Sequence, residues 1–362
     1  MISEEQVRKE LEALPVPGIG RNLGSMNAIR EINIEKGKVE VTLASAAMSP
    51  IAQQFLQTTI TKRLEAMPGV KGAEIKLVEV PTKELNNIKH VIAIMSGKGG
   101  VGKSLVAGMV AIALRNKGYE VGILDADITG PSIPRMFGIT TRPTGSSTGI
   151  MPVQSRTGIG VMSINLLLAS EDDAVIWRGP VIAKAITQFW EEVHWGNLDY
   201  LIIDLPPGTA DVPLTVMQSF PINGVIIVFT PQDLTAMIVR KAVNMARKME
   251  KTVLGVFENM SYLYIPEINK KIELFGKSRG EEMAKSAGAP LLGRMPVDPE
   301  LTKLIDAGNI EEYKNPLLDE LGESIPDIIA KLPVEPPPAE GAKSCERSSC
   351  EGCDSAGTCG NG

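Results

Sequence analysis

Residues 97–104 read Gly-Lys-Gly-Gly-Val-Gly-Lys-Ser. This is the pattern G-x-x-x-x-G-K-[ST] of a phosphate-binding P-loop, in which glycines let backbone N–H groups turn onto phosphates, the last lysine reaches the outer phosphates and the hydroxyl binds Mg²⁺. Gly97, Gly99, Gly100 and Gly102 are expected to supply that freedom, with Val101 completing the cradle, Lys103 on the phosphates and Ser104 on the metal. Lys98 is a second lysine that one cradle does not need. Such a loop should leave a strand and open a helix. His90 to Met95 is a short apolar, β-branched run, and Ser104 to Gly118 reads as an Ala/Leu/Val helix with basic residues in its last turn and a glycine stop.

Further apolar strands follow at Val121–Leu124, Tyr200–Asp204, Gly224–Thr230 and Thr252–Asn259, separated by helical stretches. Continuous apolar strands alternating with helices imply an α/β fold, a P-loop NTPase whose mainly parallel sheet is covered by helices on both faces. Residues 1–82 differ in texture. An amphipathic helix, the turn Pro15–Gly20, the alternating strand Lys38–Leu43, a helix over Ile51–Met67 and a last strand Ala73–Val80 describe a small N-terminal α+β domain. Residues 83–89 are expected to link it to the ATPase domain at 90–332. Residues 333–362 begin PVEPPPAEG and are expected to form a Pro-rich linker and a flexible, cysteine-rich C-terminal tail.

Composition narrows the function. The chain has 362 residues and a net charge of −6, so nothing global attracts nucleic acid or an anionic membrane. Its start is charged from residue 4 and lacks an apolar signal core, and no run approaches the ~18 apolar residues of a membrane span. The expected location is cytoplasmic, with neither nucleic acid nor membrane as partner.

In open α/β sheets ligands bind at the carboxyl ends of the strands. Asp204 ends an apolar strand there, the arrangement in which a carboxylate holds Mg²⁺, here through a bound water. Asp127 is the candidate to orient the attacking water and Asp125 a second carboxylate near the metal; the competing reading makes either a cap of the next segment. Gly208 in PPGTAD is placed to offer its N–H to the γ-phosphate, and Asn259 to read the adenine edge or, alternatively, to cap a turn. The catalytic set is thus Lys98, Lys103, Asp127 and Asp204.

These segments, with DADITGPSIPRMFG, WRGP (Trp177–Pro180), LIIDLPPGTAD, TPQD (Thr230–Asp233) and ENMSY (Glu258–Tyr262), resemble the Mrp (ApbC) family of ATP-dependent iron–sulfur cluster carriers, within the deviant Walker A group of ATPases. The likeness covers residues 88 to about 332, and the first domain resembles, less closely, the small domain common to cluster-assembly factors. The resemblance implies a homodimer in which Lys98 of one subunit contacts the nucleotide of the other, an ATP and Mg²⁺ requirement, and transfer of iron–sulfur clusters to apoproteins.

Two departures stand out. Where the family usually carries a CxxC after NMSY, this chain has Ile265 and Ile268, and an aliphatic side chain has no lone pair for iron. The small domain has AAMSP (Ala46–Pro50) where relatives often carry a cysteine. All four cysteines, Cys345, Cys350, Cys353 and Cys359, fall at the end with the spacing C-x4-C-x2-C-x5-C. The x2 pair lets two thiolates converge on one metal centre, an iron–sulfur cluster or, as the alternative, tetrahedral zinc. A disulfide pair and an unliganded tail are the structural alternatives.

His90 and His194 read as structural, the second meeting the C-terminal dipole of a helix over Val181–Val193. The leading function is an ATPase that carries clusters; the alternative is an ATP-dependent dimeric switch that positions partner proteins, with a zinc-binding tail. A reductase with a cluster on the dimer axis is disfavoured, because the core has no cysteine.

Overall fold

A computed structural model describes residues 2–332 except 128–129, 131, 147, 169–178, 209–210 and 233–234. The small domain contains α1 (Glu4–Glu12), β1 (Ile29–Glu35), β2 (Lys38–Ala44), α2 (Pro50–Glu65) and β3 (Gly72–Val78), and the short α3 (Thr82–Leu85) follows it. Ser3 caps α1, accepting from the Gln6 N–H while the Gln6 side chain accepts from Ser3; this reciprocal capping box starts the helix. The three strands form one sheet in the order β1-β2-β3, antiparallel then parallel. Its core unites Val7 and Leu11 of α1, Val41 of β2, and Leu56 and Ile60 of α2.

The second unit is built on β4 (Asn87–Ser96), α4 (Lys103–Asn116), β5 (Val121–Asp125), β6 (Val153–Gln154), β7 (Gly160–Ser163), α5 (Gly179–Glu192), β8 (Asn197–Asp204), α6 (Asp211–Ser219), β9 (Gly224–Phe229), α7 (Thr235–Lys248), β10 (Thr252–Glu258), β11 (Leu263–Ile265), β12 (Lys270–Ile272), α8 (Gly280–Ala287), β13 (Leu291–Arg294), α9 (Pro299–Asp306) and α10 (Pro316–Ala330). Eight strands form one sheet in the order β6-β7-β5-β8-β4-β9-β10-β13, all pairings parallel except β6 with β7. Alternate residues of the central strands feed two separate cores. Ile92, Ile123 and Ile202 pack with α4 and α10 on one face, while Ala93, Leu201 and Ile203 pack with α5, α6, α7 and α8 on the other. Burial on both faces is why these strands read as continuous apolar runs.

The segment expected to be a mere linker is a built joint. Thr82–Leu85 forms a helical turn, β4 starts at Asn87 rather than His90, and both Thr82 and Leu85 are buried. Thr82 Oγ1 donates to Glu191 O at 2.6 Å and Asn86 Nδ2 to Val193 O at 2.9 Å, fastening the joint to the end of α5. The small domain closes over the same segment: Asn197 Nδ2 donates to Gly24 O (2.7 Å), Asn27 Nδ2 to Leu85 O (2.9 Å) and Arg21 Nη1 to His194 O (3.2 Å). Gly196, at φ 66°, lies where a Cβ would come within 2.3 Å of Ser25 O, so the domains meet backbone to backbone.

His194 is therefore structural for a different reason from the dipole contact expected. It lies beyond α5, fully buried, with Nε2 2.7 Å from Met26 O of the small domain. Burial lowers its pKa to about 4. The ring is neutral near pH 7 and cannot act as the cation that a helix dipole favours.

Candidate functional site

The P-loop leaves the carboxyl end of β4 and opens α4, as its sequence context requires. Its glycines divide the work differently from the even share expected. Gly100 and Gly102 adopt φ of 78° and 80°, whereas Gly97 is needed for space: a Cβ there would lie 2.0 Å from Ile238 Cγ2 on α7. Gly99 is exposed and Val101 buried. The loop lines a concavity of about 330 Å³, shared with Ser96, Ser104, Asp127, Ser132 and Pro207. A larger hollow of about 840 Å³ lies on the small domain, around Ile32, Ile34, Lys36 and Lys71. It has size but none of the convergent catalytic groups, so the smaller concavity is the site.

Three carboxylates and one ammonium meet at its floor. Register places Asp125 opposite Asp204 at the ends of the paired strands β5 and β8. Lys103 Nζ lies 2.5 Å from Asp204 Oδ1 and 3.8 Å from Asp127 Oδ2. Burial pushes the Asp204 carboxyl up, and the charge of Lys103 opposes that shift. Asp125 is raised well above the usual carboxylate range, first by burial and then by the charge of Asp204. Its Oδ1 accepts from the Asp127 N–H at 3.1 Å and its Oδ2 from Ser163 Oγ at 3.3 Å. Asp125 thus supports the backbone of Asp127 more directly than it faces a metal.

An Mg²⁺ ion fits the donors present. Asp204 Oδ2 is buried without a hydrogen bond of normal geometry, and the Ser104 hydroxyl stands close enough to lower the carboxyl's pKa. Two hard oxygen donors beside a phosphate loop suit a cation that keeps most of its water. Bound there, it would neutralise charge on the transferring phosphate.

Two expected nucleotide contacts are engaged elsewhere. Gly208, at φ 90°, donates its N–H to Ser96 O at 2.9 Å, so it braces the end of β4. Asn259 is buried; its Nδ2 donates to Val101 O at 2.9 Å and its Oδ1 accepts from Met260 N at 2.9 Å. Both ends of that amide hold the P-loop and the following turn, and reading a base would require releasing one. Lys98 is half-buried on the rim and donates to Gln232 Oε1, in the loop after β9.

Sequence reasoning missed Gln232 and Glu258, although both lie in quoted segments. Glu258 is fully buried at the end of β10, accepting from Ser261 Oγ (2.6 Å), Ser278 Oγ (2.6 Å) and Arg279 N (2.7 Å). A carboxylate ending an apolar strand was the available signal. It fastens both ends of the segment that contains the β11–β12 hairpin. Ile265 ends β11 and Ile268 is exposed near the hairpin tip. Among the described residues, no group of three or more His, Cys, Asp or Glu side chains could hold a metal ion. Cys345, Cys350, Cys353 and Cys359 lie outside the described residues, as do Trp177 and Asp233.

A P-loop rising from the central strand of a parallel sheet, with an acid closing the neighbouring strand, defines the class: a P-loop NTPase core joined to a small α+β domain. Comparison with known proteins gives the family. The model for ParA, the NUBPL iron-transfer P-loop NTPase, matches residues 87–332, and that for an iron-sulfur cluster assembly protein matches residues 4–77. The iron-sulfur cluster carrier protein of Bacillus subtilis is 37% identical over 350 residues, covering 92% of this chain and 98% of that one. That of Clostridium perfringens is 48% identical over 259 residues, 68% of this chain and 91% of the relative. A nucleotide-binding protein from Archaeoglobus fulgidus, solved in complex with ADP, shares 45% identity at a TM-score of 0.59, covering 66% of this chain and 95% of that one. The chain belongs to the NUBPL iron-transfer P-loop NTPase family.

Proposed function

We propose that this protein is an ATP-binding and hydrolysing carrier that holds iron–sulfur clusters and hands them to apoproteins. The observation that carries the reading is the near full-length likeness to the Bacillus subtilis carrier, together with a complete P-loop, Lys103 and Asp204 at one site. Ser104 and Asp204 hold Mg²⁺, Lys103 the outer phosphates, and Asp127 orients water, supported by Asp125. Gly208 and Asn259 report on the nucleotide by exchanging their present bonds to Ser96 and Val101 for bonds to the ligand.

The working unit is a homodimer in which Lys98 reaches the partner's nucleotide. Its supporting observation is that Lys98 stands at the edge of the P-loop concavity and donates to Gln232, in the loop after β9. The cluster is cargo, held by the tail thiolates Cys345, Cys350, Cys353 and Cys359. The proposed place of work is the cytoplasm; no described helix is long and apolar enough to cross a membrane.

The test is iron and sulfide analysis of anaerobically purified protein, followed by transfer to an apo-ferredoxin and an assay of ATP hydrolysis. Stoichiometric iron and sulfide with transfer supports the carrier. Zinc alone, with hydrolysis intact, would replace it with the partner-positioning switch.

A further inference from the structure

Helix α7 presents Arg240, Lys241, Arg247 and Lys248 to solvent and contains no acid, on a chain whose net charge is −6. Between this stripe and α6 runs a groove of about 320 Å³, floored by Leu214, Met245 and Met249 and rimmed by Lys241, Asn244 and Lys248. Some surface lysines meet carboxylates, Lys38 with Glu74, Lys76 with Glu40, Lys89 with Asp199 and Lys117 with Glu323. Lys241 and Lys248 meet none among the described residues. A cationic rim around a methionine floor is an adaptable seat for an acidic segment.

The chain itself contains such a segment. Residues 333–362 hold Glu335, Glu340, Glu346, Glu351 and Asp354 against Lys343 and Arg347, and three of those acids fall within the cysteine run. Deprotonated thiolates would add to the same sign. Length permits the contact. Leu332 packs on the face of α4 and α10, while the groove lies on the opposite face with α6 and α7. Twelve residues separate Leu332 from Cys345, and that stretch spans up to ~45 Å when extended. The ~20 Å radius of gyration of a folded chain this size corresponds to a diameter of ~50 Å; Cys350, Cys353 and Cys359 lie further along the tail and reach ~60 to ~90 Å when extended, so these cysteines can pass round the sheet edge.

Both walls of the groove are tied to the nucleotide loop. Ile238 of α7 lies against Gly97, and α6 begins three residues after Gly208, whose N–H is bonded to Ser96 beside the P-loop. We propose that the α6–α7 groove docks the acidic, cysteine-bearing tail of this same chain, and that nucleotide state alters the docking by shifting the two walls. The inference takes from the proposed function only that the tail cysteines hold the cargo. It supplies the link between ATPase and cargo that a core with Ile265 and Ile268 otherwise lacks.

All four cysteines lie in the tail, so a short thiol-to-amine cross-linker on reduced, metal-free, full-length protein reports tail contacts alone. The expected products join tail cysteines to Lys241 and Lys248 several-fold more than to the equally exposed Lys36, Lys71 and Lys270. Arg240→Glu with Asn244→Glu removes most of the stripe's net positive charge, four cations becoming three cations and two acids, yet keeps both reporter lysines, and should lower that yield several-fold. So should about 1 M salt, where the Debye length falls to ~3 Å. Products spread evenly over exposed lysines, or a pattern indifferent to that charge change, would overturn the docking. Equal yields with ADP and with a non-hydrolysable ATP analogue would overturn the nucleotide coupling. Because no metal is present, neither result depends on whether the tail takes an iron–sulfur cluster or zinc, which the iron and sulfide analysis decides separately.

Discussion

Lys103 and Asp204 form a buried ion pair, Nζ to Oδ1 at 2.5 Å, with side chains 5% and 0% exposed. One lysine thus answers a floor on which Asp125, Asp127 and Asp204 all converge. Removing it leaves carboxylates that must either stay charged in a poor dielectric or take up protons. Lys103→Ala should therefore lose nucleotide affinity by at least ~100-fold and lower stability by roughly 3 kcal/mol. Titration with a fluorescent ATP analogue and urea unfolding measure the two effects. A variant with native affinity would take Lys103 off the phosphates.

Asp127 differs from Asp204 in being reached by Lys103 only at 3.8 Å and in having its backbone, not its side chain, fixed by Asp125. It also lines the P-loop concavity, where an attacking water would stand. Asp127→Ala should keep ATP binding within a few-fold of wild type and slow turnover by about 100-fold or more, the range typical of lost general-base or positioning groups. Unchanged single-turnover hydrolysis in this variant would transfer the water-orienting role to another residue.

Lys98 is held in its own subunit by Gln232. If its work lies across a dimer, Lys98→Ala should leave nucleotide binding to the monomer intact and abolish ATP-dependent tightening of the dimer, read by analytical ultracentrifugation. Gln232→Ala frees the ammonium and should change the concentration dependence of hydrolysis without changing nucleotide affinity. Mixed dimers of Lys98→Ala with Asp127→Ala chains would regain activity at one site if the lysine acts in trans.

The parts of this molecule that sequence makes legible are those where one local rule decides. The P-loop is one, since glycine spacing, strand and helix all lie within thirty residues. Strand ends carrying Asp125 and Asp204 are another, because a charge closing an apolar run is visible without a fold. The strand β1 was missed, despite the alternation Ile29-Ile32-Ile34, because its apolar period is broken by a register shift between Ile29 and Glu31. The joint at Thr82–Asn86 was read as a linker, because its anchors are backbone carbonyls of Glu191 and Val193 more than a hundred residues away. Local composition shows nothing of that. The same limit applies to Asn259, whose partner Val101 is set by tertiary packing alone.

The joint should be sensitive to acid. His194 has a folded pKa of about 4 against 6.5 for the free side chain. A lowered histidine pKa means that the folded protein disfavours the charged ring. Its contribution is therefore complete above pH 6.5 and lost as pH falls from there toward 4. The full span is worth roughly 3 kcal/mol, of which about 1.4 kcal/mol should be gone at about pH 5.5. His194→Gln keeps an N–H that can donate to Met26 O and removes the titration. Thermal melts at neutral and mildly acid pH should show a smaller acid loss for the variant than for wild type. Parallel losses would mean that other groups govern the acid response.

The last expectation concerns where metal resides. Truncation after Leu332 should remove all bound iron yet leave the ATPase folded. Ile265 and Ile268 offer iron no lone pair, and no described cluster of three or more His, Cys, Asp or Glu side chains could substitute. The fold should survive because α10 seats itself through Leu317, Leu321, Ile325 and Ile329, all before the cut, with Leu332 the final residue packed on that core. The midpoint of thermal unfolding should move by less than ~2 °C, corresponding to at most about 1 kcal/mol for a domain this size, and ADP affinity should be unchanged. Cys350→Ser with Cys353→Ser should match the truncation, since the x2 pair is the part of the run able to converge on one centre. Should the truncated protein still show the visible absorption of a cluster after anaerobic reconstitution, the cargo must sit on the core, and the tail would lose its assigned role.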